Sequence, residues 1–341
     1  MLVQKWVVIT IWNLATSDCC MSAANQFGAG FPINLANNTV TVTKFILLGF
    51  HSVGQLSRNL LCALLSCTYV GTLEDNLCIV WAVLRDPCLQ HLPIYILLGN
   101  FSWMETCYVT NTVPWMLSDL VNPGVPISFQ ACFFQFHIFF SMGTTECLFL
   151  SVMVLDRYLA ICHPLRYPVL MSTHRCWVMA AFCWLISFLW FIVPVTLISQ
   201  LSFCGSTLDS FVCDLAPLLA VSCTPAPQAE HSCCALTAFV ILGAAIFTLT
   251  ASGLIIRALL QLSTGAGRHR AFSTCSSHLT IVGLFWGSGL VNYISPAASG
   301  SSGKMAALFY AVGTSLLNPL IYSLRNKEMK EALRSMLLGK R

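Results

Sequence analysis

Charge is what this sequence has least of. Of its 341 residues only 9% are Asp, Glu, Lys or Arg, while 57% are hydrophobic. A soluble globule of this length needs far more charge to cover its surface, so the composition points to a lipid bilayer as the solvent. Also missing is any single basic patch. The net charge of +4 comes from bases scattered between apolar runs, which leaves no electrostatic footprint for nucleic acid. No phosphate-cradling glycine loop, zinc-ligand pair or nucleophile–base set occurs in the connecting segments, so nothing marks an enzyme. His163 and His174 read as polar interface residues rather than metal ligands. Nor does one half of the chain repeat the other, as the halves of many transporters do.

Long apolar runs are what the chain has instead. A bilayer core about 30 Å thick needs about 20 apolar residues per helix, and segments near 57–84, 92–118, 129–161, 175–198, 233–262, 271–295 and 304–324 qualify. Each is closed by charges, prolines or glycines. The expected fold is an all-α membrane protein, a seven-transmembrane helix bundle over 57–324 that follows an extracellular segment 1–56. Residues 325–341 form a cytoplasmic amphipathic helix and tail, in which Met329, Leu333, Met336 and Leu337 recur at helical spacing among Lys327, Lys330 and Arg334. Such a stretch lies on the membrane surface.

Orientation follows from the loop bases. Arg85, Arg157, Arg166, Arg175, Arg257, Arg268, Arg270, Arg325, Lys327, Lys330, Arg334, Lys340 and Arg341 fall on one side, thirteen of the seventeen Lys and Arg. By the positive-inside rule that side is cytoplasmic, which puts the N-terminus outside and the C-terminus inside. Residues 1–20 combine Lys5, an apolar run from Trp6 to Leu14 and Ala15-Thr16-Ser17. They read either as a signal-like segment or as residues upstream of a start at Met21. Asn37-Asn38-Thr39 is a glycosylation sequon on the outer side. Asn100-Phe101-Ser102 also fits the pattern but falls inside a span, where no sugar can be attached. Most of the 18 cysteines, among them Cys62, Cys67, Cys78, Cys107, Cys147 and Cys183, lie in apolar runs and read as small buried thiols. Cys132, Cys204, Cys213 and Cys223 instead fall on the oxidising outer side. Their spacing leaves three connectivities open.

Four strings carry a resemblance. They are Thr43-Lys44-Phe45-Ile46-Leu47-Leu48-Gly49-Phe50, Met153-Val154-Leu155-Asp156-Arg157-Tyr158-Leu159-Ala160-Ile161-Cys162-His163-Pro164-Leu165, Arg270-Ala271-Phe272-Ser273-Thr274-Cys275-Ser276-Ser277-His278-Leu279, and Asn318-Pro319-Leu320-Ile321-Tyr322-Ser323-Leu324-Arg325-Asn326. In this order, at these span ends, they resemble odorant receptors, a branch of the rhodopsin-like G-protein-coupled class. The resemblance runs from about residue 40 to the end.

The resemblance implies a set of roles. Asp156, Arg157 and Tyr158 at the inner end of the third span, with Asn318, Pro319 and Tyr322 in the seventh, form a G-protein switch: an ion pair holds the guanidinium at the water boundary, and the proline lets the seventh helix pivot. Glu105 and Glu146, two acids in apolar surroundings, hold a sodium ion that favours the resting state, with Asn76 tied to the same network. The alternative for each acid is a protonated carboxyl bonded between helices. Cys132 pairs with Cys213, and Cys204 with Cys223. The ligand site is an outer cavity lined by Phe139, Phe140, Gly143, Thr144, Val240, Trp286, Gly289 and Tyr293. No acid stands there where an amine's counter-ion would sit, which favours a small, neutral, volatile ligand.

The chain also departs from the family pattern. Glu74-Asp75 put two acids in the middle of the first span, Val154-Leu155 replace Ala-Tyr, and Ala251-Ser252 replace Ser-Tyr. Trp286 replaces a tyrosine, and Ser315 stands where proline is common. The expectation is a multi-pass plasma-membrane receptor that binds a small apolar odorant and activates the olfactory stimulatory heterotrimeric G protein, raising cyclic AMP. A receptor-like protein that has lost signalling is the competing reading. A transporter or channel is the more distant one.

Overall fold

The computed structural model describes residues 42–50, 53–261, 276, 279–287, 315–317, 329, 331 and 334. In chain order its elements are β1 (Lys44–Leu47), α1 (Gln55–Arg85), α2 (Pro87–Gln90), α3 (Pro93–Val121), β2 (Pro126–Ser128) and α4 (Phe129–Cys162). These are followed by α5 (Tyr167–Leu170), α6 (Thr173–Trp190), α7 (Ile192–Ser199), β3 (Thr207–Leu208), α8 (Leu215–Ala220) and α9 (Pro227–Gln261). Residues 279–287 and 315–317 are helical too.

Local chemistry sets the helix limits. Asp86 ends α1 in an extended conformation and caps α2, its carboxylate accepting from the Cys88 N–H at 2.9 Å. Pro93 opens α3 where no N–H partner is needed. Ser128 caps α4 and Ser172 caps α6. The fourth predicted span, 175–198, breaks at Phe191 into α6 and α7. Pro194 has no N–H to return to the Trp190 carbonyl, so the ladder stops there. The helix of the fifth predicted span, α9, starts at Pro227, ahead of the predicted 233, because the turn-forming Thr224-Pro225-Ala226 lies just before it and proline suits the first helical position.

Among the described residues three helical stretches, Phe129–Cys162, Thr173–Ser199 and Pro227–Gln261, are long and apolar enough to cross a membrane by themselves. Helices α1 and α3 are as long, but Arg58, Glu74 and Asp75 dilute the first and Asn100, Glu105 and Asp119 the second. Five of the hydroxyls within the helices are tied down locally: Thr72, Thr106, Thr112, Thr145 and Ser187 each donate to a carbonyl four residues back. A polar side chain then presents no unmet donor to lipid.

Helix α1 packs along α3, and α4 runs through the middle against α3, α6 and α9. One continuous core of Phe, Leu, Ile and Met joins them. Cys147, Cys176 and Cys183 are buried as small thiols, but Cys67 and Cys78 lie on the outward face of α1. The expectation of burial fails for these two, since an apolar run does not say which side of its helix faces the bundle. The rejected sequon at Asn100 is an interhelical tie. Its side chain donates to the Ile96 carbonyl and accepts from Trp184 Nε1 at 3.2 Å.

Candidate functional site

The end of the bundle that carries β1 is roofed by its own chain. Strand β1 pairs antiparallel with β2, Lys44 opposite Ser128, and parallel with β3, Ile46 opposite Thr207. Beneath it Phe45 meets Phe129 and Phe203, ring centroids 5.9 and 5.4 Å apart, and Phe129 stacks on to Phe133. Phe50 lies on Phe211 at 4.5 Å. This approach requires Gly49: a β-carbon there would strike the Phe211 ring and come within 3.0 Å of its Cα. Asp119 closes the corner, accepting from the N–H groups of Phe50 and Gly124, the latter with φ +78°.

Under this roof the loop between α7 and α9 dives inward. Cys213 is joined to Cys132 at the start of α4, and Cys204 to Cys223 within the loop. The Cys213 N–H also donates to Gln135 Oε1 at 2.9 Å, while Gln135 and Asn111 exchange bonds with each other's carbonyls. Next in the chain, Asp214 is fully buried. Its Oδ1 accepts from the Leu215 N–H at 2.7 Å, and its Oδ2 has no hydrogen-bond partner. Burial pushes this carboxyl up to about 6, and the Leu215 N–H pulls it back only in part. Asp214 lies within electrostatic reach of the Tyr108 phenol on α3 and the Cys233 thiol on α9. Reading the helices alone missed this acid, because it comes from a loop.

The expected cavity residues take different places. Phe139 is buried and stacks on Tyr108 at 5.5 Å. Phe140 turns the other way, packed on Phe136 and on Phe191 at the α6–α7 break. Thr144 is buried, while Gly143, Val240 and Trp286 are half-buried. Trp286 crosses Phe285 edge to face at 5.0 Å, and its Nε1 has no hydrogen-bond partner. Gly289 and Tyr293 fall outside the described residues, as do Asn37, Asn318, Pro319 and Tyr322.

At the C-terminal end of α4, opposite the roof, Asp156 is fully buried and holds two partners. Arg157 Nε donates to its Oδ2 at 2.9 Å, with Nη2 at 2.6 Å, and the Tyr167 hydroxyl donates to its Oδ1 at 2.8 Å. Burial and the Asp156 charge together hold the Tyr167 phenol protonated, well above its ordinary range. Tyr167 was not singled out in the sequence. The signal was an aromatic hydroxyl in the loop after an Asp-Arg-Tyr string. Tyr158 pairs instead with His163, oxygen to Nε2 3.2 Å.

Comparison with known proteins bears on this arrangement. Residues 65–340 match the family described as olfactory receptor. The chain belongs to the olfactory receptor family. It is 48% identical to human olfactory receptor 11G2 over 304 residues, 88% of each chain. It is 47% identical to human olfactory receptor 11H4 over 306 residues, 89% of this chain and 94% of that one. Rat olfactory receptor 226 is 43% identical over 308 residues, 88% of this chain and 94% of its own. This is a family of multi-pass membrane receptors rather than enzymes, and an odorant-receptor role follows for this chain.

Two further features of this olfactory receptor lie deep in the bundle. Glu105 is 1% exposed and Glu146 half-buried, near enough for their charges to interact. Ser102, one turn before Glu105, has a buried hydroxyl without a hydrogen-bond partner, and so has Ser141 before Glu146. Carboxylates and hydroxyls of this kind are donors suited to a hard cation. Among the described residues no group of three His, Cys, Asp or Glu side chains stands together as a metal site. Asn76 donates to the Ser315 carbonyl at 3.4 Å and leaves its own oxygen unpartnered. Of the departures from the family pattern, Glu74 is exposed on the outward face of α1, Asp75 is half-buried, and Ser252 is buried with its hydroxyl unpartnered.

Proposed function

We propose that this olfactory receptor binds small, mostly apolar volatile odorants in an outer transmembrane cavity and activates the olfactory stimulatory G protein, raising cyclic AMP. The observation that carries this reading is the closed lock at the inner end of α4. There Arg157 is held by Asp156, and Asp156 by Tyr167. A guanidinium restrained at the water boundary is a stored contact for a partner protein. Ligand binding need only favour a state in which that contact is released.

In this reading the chain crosses the plasma membrane seven times over 57–324, with 1–56 outside and 325–341 inside. Phe139, Phe140, Gly143, Thr144, Val240, Trp286, Gly289 and Tyr293 line the cavity. Asp156, Arg157, Tyr158, Asn318, Pro319 and Tyr322 form the switch, and Asn37 carries a glycan. Glu105 and Glu146 would hold a sodium ion, whose positive charge offsets the two carboxylates and favours the resting state.

The test is made on intact cells expressing the full chain with an epitope tag after Met21. External staining together with an odorant-dependent rise in cyclic AMP is the expected result. Staining without a response to any odorant would establish the second reading, a receptor that no longer signals. The buried, unpartnered Ser252 hydroxyl, standing where the family has tyrosine, favours that alternative.

A further inference from the structure

Asp214 is costly to the molecule as it stands. A carboxylate with no exposure and one oxygen unbonded has lost its hydration without full replacement. Its place as cap of the short α8 explains Oδ1 but not Oδ2. The strap that carries it is fixed by the Cys132–Cys213 disulfide and by Gln135, so the side chain cannot withdraw to water without breaking those ties. The strap's anchor point, the Gln135–Asn111 pair, lies one helical turn from Phe139 on α4 and from Tyr108 on α3, whose rings stack at 5.5 Å. A buried carboxylate on the same end of the bundle as a stacked aromatic pair offers an ammonium both of its usual partners: the acid supplies the counter-ion and the rings attract the cation through their quadrupoles.

We propose that Asp214 is the polar anchor of the odorant cavity and that this receptor takes small apolar amines, the ammonium bonded to Asp214 Oδ2 and the hydrocarbon lying against Tyr108 and Phe139. The proposal rests on the reading of the outer cavity as the ligand site and adds the ligand's chemical class to it. Small neutral odorants fill the same apolar space without the ion pair and bind more weakly. An arriving ammonium restores the partner that burial removed, and this differential interaction sets the selectivity.

The experiment uses the full chain purified into lipid nanodiscs, with cyclohexylamine and cyclohexanol as matched probes and thermal stabilisation as the readout. In the wild type at about pH 7.5, cyclohexylamine is expected to stabilise at a concentration about tenfold or more below cyclohexanol, as for a buried charge pair against a neutral isostere. In Asp214→Asn the two probes should become equivalent while cyclohexanol keeps its wild-type effect. A control on the unmutated chain guards against a variant that does not fold. The amine stays charged down to about pH 4.5, whereas Asp214 takes up its proton as pH falls through about 6, so the amine's advantage should vanish over that window. Among the described residues, the ionisable groups within electrostatic reach of Asp214 are the Tyr108 phenol and the Cys233 thiol. Equal effects of the two probes on the wild type at about pH 7.5, or an amine advantage that survives Asp214→Asn, would overturn the proposal. Because the readout is binding, a chain that prefers the amine but gives no cyclic AMP would sink the signalling reading and leave this one standing.

Discussion

Tyr167 and Asp156 show how much one hydroxyl can decide. The Tyr167 hydroxyl gives Asp156 Oδ1 its bond, and Arg157 takes Oδ2. Hydrogen bonds to charged groups contribute about 1.5–3 kcal/mol, so Tyr167→Phe should weaken the resting lock by an amount of that order. The expected outcome is a several-fold rise in ligand-independent cyclic AMP at equal surface staining. An unchanged basal level would mean that Tyr167 only packs. The Asp156–Arg157 pair was visible in the sequence, but the hydroxyl that completes it was not. Asp156 and Arg157 announced themselves through the string they belong to. Tyr167 and Asp214 carry no such string, and their roles come from a loop folding back on the bundle.

At the scale of elements, two disulfides hold the loop between α7 and α9, and they close segments of different size. Cys132 and Cys213 are separated by 81 positions, Cys204 and Cys223 by 19. A longer closed segment removes more freedom from the unfolded chain, within a typical contribution of about 2–4 kcal/mol. The first bridge also anchors the strap that carries Asp214. Cys132→Ser should therefore lower surface expression and heat stability more than Cys204→Ser does, by flow cytometry and by melting of the purified chain. The reverse order would show that the loop's internal bridge is the dominant restraint. The same scale adds a small sheet, centred on β1, to a fold expected to be all-α. The sequence of β1, Lys44-Phe45-Ile46-Leu47, was legible as part of a family string, yet its role as the middle strand of a three-stranded roof depends on β2 and β3 arriving from far along the chain.

For the whole molecule the solvent is lipid, and two residues oppose it. Glu74 faces outward from the middle of α1 and Asp75 is half-buried beside it. Each acid near a helix centre costs about 2.5–3.5 kcal/mol on insertion scales. The Glu74→Leu, Asp75→Gly double variant is expected to raise external staining several-fold over the natural chain. Equal staining would show that the bilayer or a neighbouring helix already accommodates the pair.

The sequence by itself determined the solvent, the existence and approximate limits of the helices and the family, because hydropathy, proline and charge act locally and a motif is a local string. It could not determine which side of α1 carries Cys67 and Cys78, which way Phe139 and Phe140 turn, or that Asp214 ends up buried with one oxygen unpartnered. Those outcomes rest on contacts between residues distant in the chain. A buried carboxylate is recognisable only once the surfaces that bury it are in place.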